Sequence, residues 1–157
     1  PPPPPPPPPP PTDPMAIRIL DTLERVCIPA TAESGSLDRV ARAAGFRRSR
    51  DQYILRQPNL TITVLPISTN GLTCTMQVDY PVDTLQPTIV AVHNWSIARG
   101  MTLRDPYRTT SDFQRDIRSW ERDADALVLL AMKRPDGTPV SRNQDRAQVI
   151  YQRRQAQ

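Results

Sequence analysis

Residues 60–80 read LTITVLPI, then STNG, then LTCTMQVDY. Apolar and polar residues alternate on both sides of the pair Asn70-Gly71, and an Asn-Gly pair between two alternating segments is the strongest short-range indication of a β-hairpin. On the second arm the alternation places Cys74 and Met76 on the same face of the strand. The sequence therefore predicts a hairpin whose second strand directs Cys74 into the core.

Eleven consecutive prolines open the 157-residue chain. We expect residues 1–12 to form a proline-rich spacer in the polyproline II conformation and residues 13–157 to form a single domain long enough to bury a core. The tract could instead be a recognition element that enters an aromatic groove of a partner through Pro1, Pro6 and Pro11. Because the chain does not begin with Met, we also expect a cleaved signal peptide or an excised fragment.

The charged residues are mixed along the chain. There are 20 Lys plus Arg residues against 16 Asp plus Glu residues, which gives a formal net charge of +4. Arginines alternate with acids, as in Arg115-Asp116 and Arg122-Asp123. Such interleaving predicts a solvated mixed-charge surface and no nucleic-acid partner.

The first helix is predicted over residues 15–28. Asp13 is a suitable N-cap, Pro14 suits the first helical position, and Pro29 is expected to end the helix. Cys27 falls on the apolar arc of this helix, so both cysteines are expected to face the interior. They are either two buried thiols or one disulfide; we predict the disulfide Cys27-Cys74, which implies an oxidising compartment.

Two further helices follow from glycine stops and periodicity. One is expected from about Ser36 to Gly45, with Phe46 returning to the core and the basic run 47–50 forming a solvated loop. The other is expected between Pro87 and Gly100. Its β-branched residues would also suit a strand, but its length and its flanking Pro87 and Gly100 favour a helix. This helix is apolar almost all round, so we expect it to be largely buried against a sheet.

Four more strands are predicted at residues 52–56, 113–121, 126–133 and 146–153. The strand at 126–133 is apolar on both faces, so we expect it to be central and covered on both sides, or nearly so. The fold class is therefore α+β, with an antiparallel sheet or sheets covered by three helices. The two halves resemble each other coarsely, as a tandem αβββ pseudo-repeat would.

Few residues are suited to catalysis. His93 is the only imidazole, and we expect it to be a polar residue on a helix surface. A Cys27/His93 nucleophilic pair is disfavoured because an apolar helix face does not stabilise a thiolate. Two cysteines and one distant histidine cannot complete a zinc site, and no phosphate-binding glycine loop is present. The sequence predicts no catalytic residues, no metal and no cofactor.

Several short segments carry a resemblance to known proteins: Leu23–Pro29, Ala41–Phe46, a strand-borne Cys74, Trp95–Ala98 and Lys133–Gly137. They resemble small exported proteins of alphaproteobacteria that carry one helix cysteine and one strand cysteine and have no established activity. The match spans about residues 15–153, and the proline tract departs from it. The resemblance implies an envelope location and a disulfide, and it implies no catalytic residues.

The function expected from these features is a non-enzymatic periplasmic or secreted domain. It would serve as an accessory or structural subunit of a larger membrane-associated assembly, with protein partners, and be peripheral or tethered to the membrane rather than spanning it. The alternative is a small binding or inhibitor protein that engages an anionic partner through arginine-rich loops. The candidate residues for that contact are Arg47, Arg48, Arg50, Arg104 and Arg108.

Overall fold

The computed structural model describes residues 1–104, 114–133 and 143–155. It contains one eight-stranded antiparallel sheet in the order β1-β2-β3-β4-β8-β7-β6-β5, and the helices lie on one face of it. The predicted α+β class with three helical bodies is confirmed. The bounds of the strands are β1 Arg47–Ser49, β2 Gln52–Gln57, β3 Leu60–Val64, β4 Thr73–Pro81, β5 Thr102–Leu103, β6 Gln114–Glu121, β7 Asp125–Lys133 and β8 Gln144–Arg153.

The first helical body is longer than predicted. Helix α1 (Pro14–Thr22) begins at the predicted cap, where the Asp13 carboxylate accepts a hydrogen bond from the Ala16 amide at 3.0 Å. It continues through a π-helical turn (Leu23–Cys27) into α2 (Ile28–Ala32) without a break.

The expected helix end at Pro29 is wrong. In the π-helical turn the amide of Ile28 bonds to the carbonyl of Leu23, five residues earlier. This wider turn lies directly before Pro29, where a proline inside a regular α-helix would clash with the carbonyl four residues back. The widened turn therefore allows the chain to pass through a proline and remain helical.

Helices α3 (Leu37–Ala43) and α4 (Gln86–Ala98) end in the same way. Gly45 and Gly100 have φ of +94° and +85°, and the residue after each glycine donates its amide to the carbonyl five residues back. That pattern is the Schellman motif, and the buried Phe46 and Met101 supply its usual apolar contact. The segment between Pro87 and Gly100 is thus confirmed as a helix.

The expectation that α4 is largely buried is wrong, because only one side of the helix is buried. Val90 and Ile97 are 49% and 47% exposed and lie seven residues apart, on one side of the helix. The opposite side, with Ile89 and Val92, is buried. The apolar composition of α4 therefore reflects one face in the core and a second apolar face on the surface.

The predicted hairpin forms between β3 and β4, with Val64 opposite Met76. The Asn70-Gly71 pair does not make a two-residue turn, because residues 65–72 connect the strands. Within this longer connection the Asn70 side chain accepts a hydrogen bond from the Leu72 amide at 3.0 Å. The hairpin is confirmed and its turn geometry is corrected.

Two short strands were not predicted, and each forms an edge of the sheet. Strand β1 replaces the loop expected at residues 47–50, although its side chains are exposed as expected of a solvated segment. Strand β5 pairs with Trp120 and Glu121 of β6. Strands of three and two residues offer few alternating positions, so periodicity does not reveal them.

The disulfide between Cys27 and Cys74 is present, with a Cα–Cα distance of 5.4 Å. Both residues are fully buried. The bridge joins the π-helical turn to β4, which lies at the centre of the sheet beside β8. The predicted pairing of a helix cysteine with a strand cysteine is confirmed.

Strand β7 is covered on one face only. Leu127 and Leu129 are buried beneath the helices, whereas Val128 and Leu130 point to the opposite face and are half-buried. In the described part of the chain no helix packs on that second face. Within the described residues β7 is therefore fully covered on one face and only half-buried on the other, so the expected cover on both sides, or nearly so, is not met there.

The chain order of the two halves is similar: α3 precedes the meander β1 to β4, and α4 precedes the meander β5 to β8. The halves meet where β4 pairs with β8. Whether they form a repeat stays a prediction, as does the polyproline II conformation of residues 1–12. The sequence also predicts a tight turn at Pro135–Thr138, and this turn lies outside the described residues.

Candidate partner-binding site

A groove of about 500 Å³ lies between α1 and α4. Its floor is formed by Leu20 of α1 and by Ala91 and Trp95 of α4, and Val90 stands at its rim. The proline tract forms the other wall, from Pro7 to Pro11. The groove is therefore bounded by an exposed proline tract on one side and by packed helices on the other.

The Trp95 side chain is held by two charged residues. Its indole Nε1 donates to Glu24 Oε1 at 2.9 Å, and the Arg99 guanidinium carbon lies 4.7 Å from the centroid of its ring. A cation over an indole face is a stabilising arrangement. These two contacts fix the orientation of Trp95 before any partner is bound.

The apolar side chains that line the groove differ in exposure: Val90 is exposed, Leu20 and Trp95 are half-buried, and Ala91 is buried. Only three large hydrophobic residues of the described chain are exposed: Ile17, Val90 and Ile97. Two of them belong to α4, and one of these, Val90, lines the groove. An apolar groove that contains a tryptophan in a fixed orientation is typical of protein-binding sites.

Beneath α4 a buried carboxylate is fully paired. Asp125 is hydrogen-bonded by the Arg122 guanidinium, and it accepts from the Tyr151 hydroxyl at 2.6 Å. Arg99 lies 3.7 Å from the same carboxylate. Arg122 also donates to the Arg99 carbonyl at 2.6 Å, which joins the end of α4 to the turn between β6 and β7.

These contacts shift the pKa values of Asp125 and Tyr151. Burial alone would raise the pKa of Asp125, but hydrogen bonds from Arg122 and Tyr151 prevail and lower it. Burial, followed by the hydrogen bond to Asp125, raises the pKa of Tyr151 to about 12. The ionised Asp125 carboxylate is therefore paired with Arg122, Tyr151 and Arg99. Its contact with Arg99 helps to position that guanidinium over the ring of Trp95.

His93 lies against the sheet rather than on an open helix surface. It is half-buried, and its Nδ1 accepts a hydrogen bond from the Trp120 indole at 3.0 Å. Cys27 is oxidised in the disulfide, so it cannot act as the thiol of a Cys27/His93 pair. The histidine therefore satisfies the buried Trp120 donor, which periodicity could not reveal because the two residues are distant in sequence.

The arginines predicted to contact an anionic partner fall into two separated groups. Strand β1 carries Arg47 and Arg48, whereas Arg104 follows β5 at the opposite edge of the sheet, about 34 Å away across seven strand spacings. Arg48 lies 3.9 Å from Asp38, and Arg104 lies 3.0 Å from Glu121. The two groups cannot form one patch. Arg50 is an exposed turn residue with φ of +59°, and Arg108 lies outside the described residues.

The three prolines predicted to contact a partner differ in position. Pro1 and Pro6 are exposed and lie outside the groove, whereas Pro11 is half-buried and lines it. Sequence reasoning missed the residues opposite the tract, Val90, Asn94 and Trp95. The apolar residues on all sides of α4 could have indicated this site. A helix that is apolar all round either is buried or presents an apolar face to a partner.

Within the described residues no group of three or more His, Cys, Asp or Glu side chains is placed to hold a metal ion. Among the helices of the described ranges, none is both long and apolar enough to cross a membrane. Comparisons of the chain with protein-family models, with curated proteins and with solved structures found no match. The resemblance to exported alphaproteobacterial proteins stays a prediction.

Proposed function

We propose that this chain is a non-enzymatic domain of the bacterial envelope, periplasmic or secreted, that serves as an accessory or structural subunit of a larger membrane-associated assembly. Residues 1–12 would tether it, and the groove between α1 and α4 would receive a protein partner. The buried disulfide supports an oxidising compartment, since such bridges form and persist there.

The observation that carries this proposal is the groove itself. Its floor and rim are apolar, its tryptophan is held in place by Glu24 and Arg99, and Val90 stands exposed at its rim. Burying exposed apolar surface contributes about 25 cal/mol per Å², and a preoriented tryptophan loses little side-chain entropy on binding. A partner that inserts apolar side chains therefore fits this site.

The proline tract would act on the same site. Because Pro7 to Pro11 form one wall of the groove, a partner there contacts both the tether and the domain. The tract would thus serve both as the spacer and as part of the recognition surface. The proposal includes two further features: residues 1–12 adopt the polyproline II conformation, and the two halves of the domain are a tandem repeat.

The test is affinity capture from the native envelope with the full chain, with Val90→Glu, and with Ile17→Glu as matched control. Ile17 is 45% exposed, close to Val90 at 49%, but does not line the groove. We expect at least one protein to be retained by the wild type and by Ile17→Glu and to be lost, about tenfold or more, from Val90→Glu. Equal recoveries from the two variants would contradict the groove as the partner site.

A further inference from the structure

The face of the sheet opposite the helices has an unusual composition. In the pairing register Ile150 lies beside Val128, and Gln148 lies beside Leu130, which in turn lies beside Ile117. All of these side chains are half-buried and point away from the helices. We name this surface, on strands β3, β4, β8, β7 and β6, the open face.

Charge is absent from the middle of the open face. Charged residues make up 23% of the chain, yet the row that crosses Gln77, Gln148, Leu130 and Ile117 has none. Two residues further along β4 and β8, Asp79 and Arg146 lie opposite each other and form an ion pair with an N–O distance of 2.8 Å. A centre depleted of charge with charged residues at the margin is the composition of a protein interface.

Strand β7 gives an independent indication. Its residues are apolar on both faces, which is typical of strands covered on both sides. The helices cover Leu127 and Leu129, but Val128 and Leu130 have no covering element in the described part of the chain. The sequence of β7 is therefore suited to a second layer, which the described residues do not supply.

We propose that the second layer is another copy of this chain, packed open face against open face. Five strands of about eight residues span about 650 Å² in plan, which approaches the ~800 Å² per partner of a standard interface. Two antiparallel sheets that meet face to face pack about 10 Å apart and form a common core. The dimer would have four layers, helix, sheet, sheet and helix.

The chemistry of the open face favours its own copy over a charged partner. The chain has a net charge of +4, so two copies repel each other least when they meet through the surface that has no net charge. Glutamine amides such as those of Gln77 and Gln148 contain both donors and acceptors, so an identical face can satisfy them. A two-fold axis then makes one patch complementary to itself.

This dimer is independent of the partner proposed above. The groove and the proline tract lie on the helical side, so both copies would keep them exposed. Failure of the capture experiment at Val90 therefore leaves the open-face proposal intact. Conversely, finding that the chain is monomeric would not contradict the groove as the partner site.

Sedimentation equilibrium of the full chain with its disulfide intact tests the proposal. We expect a dimer with a dissociation constant below about 10 μM, a value within the ordinary range for interfaces of this size. Leu130→Lys places a charge at the centre of the open face and should weaken the dimer at least about tenfold. Val90→Lys places the same charge on the helical side and should leave the dimer unchanged.

Gln148→Glu is the second open-face variant. Because it replaces a polar residue that is only half-buried, we expect it to fold even if Leu130→Lys does not. A near-native circular dichroism spectrum verifies that each variant is folded. It should also weaken the dimer. A wild type that is monomeric at about 100 μM, well above the expected dissociation constant, overturns the proposal. So does a dimer that Val90→Lys disrupts and the open-face variants do not, or a monomer whose open face binds lipid vesicles instead.

Discussion

Cys27 and Cys74 illustrate what a single pair of residues contributes to this fold. Each is fully buried, one in the π-helical turn and one on a central strand. Their chain separation of 47 residues means that the bridge removes many extended conformations from the unfolded chain. Loop-closure entropy gives a stabilisation of about 4 kcal/mol for a loop of this length.

We expect Cys27→Ala/Cys74→Ala to lower the free energy of unfolding by about 4 kcal/mol relative to the oxidised wild type in urea titrations. The reduced wild type should be destabilised similarly, and a thiol count should rise only after reduction. The double variant should be insensitive to reductant. Equal stability of oxidised and reduced wild type would contradict a structural role for the bridge.

Tyr151 makes stability depend on alkaline pH. In the unfolded chain its hydroxyl ionises near pH 10, whereas in the folded protein its pKa is raised to about 12. Between these values the unfolded state binds fewer protons, so the free energy of unfolding falls as pH rises. We expect a loss of about 2 kcal/mol from pH 10 to pH 12 in the wild type that is absent from Tyr151→Phe, measured by urea unfolding at each pH.

Asp125 gives the opposite dependence on the acidic side. Its pKa is lowered in the folded state, so its contribution is present above the ordinary aspartate pKa and is lost as pH falls through the folded value. Tyr151→Phe should keep most of this acidic dependence because the Arg122 contacts remain.

If Tyr151→Phe still lost the full free energy of unfolding between pH 10 and pH 12, a group other than Tyr151 would be responsible for the alkaline dependence.

At the residue scale, sequence reasoning succeeded where periodicity decides. Helical and strand periods placed Cys27 and Cys74 in the core, and the bridge followed. The contacts of Asp125 with Tyr151 and of His93 with Trp120 could not be predicted, because the paired residues are 26 and 27 residues apart in the chain. Such contacts depend on which strands become neighbours.

At the scale of elements, the ends of α3 and α4 have the same physical basis. Gly45 and Gly100 both adopt positive φ, and a side chain at either position would meet no atom closer than 4.0 Å. The cost of a substitution is therefore conformational rather than steric.

We expect Gly45→Ala and Gly100→Ala each to lower the free energy of unfolding by about 1 kcal/mol, and by similar amounts. Gly45→Asn is the matched control and should cost less, since asparagine tolerates the left-handed conformation. Chemical denaturation of the three variants measures this. A much larger loss for one alanine variant would show that the two helix ends are not equivalent.

The errors at this scale have specific causes. Pro29 is a standard helix stop, but a π-helical turn precedes it, and nothing local in the sequence indicates that turn. The sequence of β1 predicts a loop because its arginines show no alternation. Apolar residues around α4 predicted burial, yet the same pattern fits a helix with one face on the core and the other at a binding groove.

At the scale of the whole molecule, the sheet order was the least predictable feature. The sequence located most of its longer strands, but no local pattern indicates that β8 inserts between β4 and β7. That insertion creates the continuous open face and places the disulfide strand at the centre of the sheet. It also places the arginines of β1 and Arg104, which follows β5, at opposite edges of the sheet.

The Cys27–Cys74 bridge has a mechanical consequence. A pull applied through residues 1–12 would reach the domain at Asp13 and could unwind α1 and the π-helical turn. At Cys27 the load would pass through the covalent bond into β4, which is held between β3 and β8 by backbone hydrogen bonds. Unravelling from this end would therefore stop after residues 13–27, about 50 Å of extended chain, and the remaining sheet would bear the force intact.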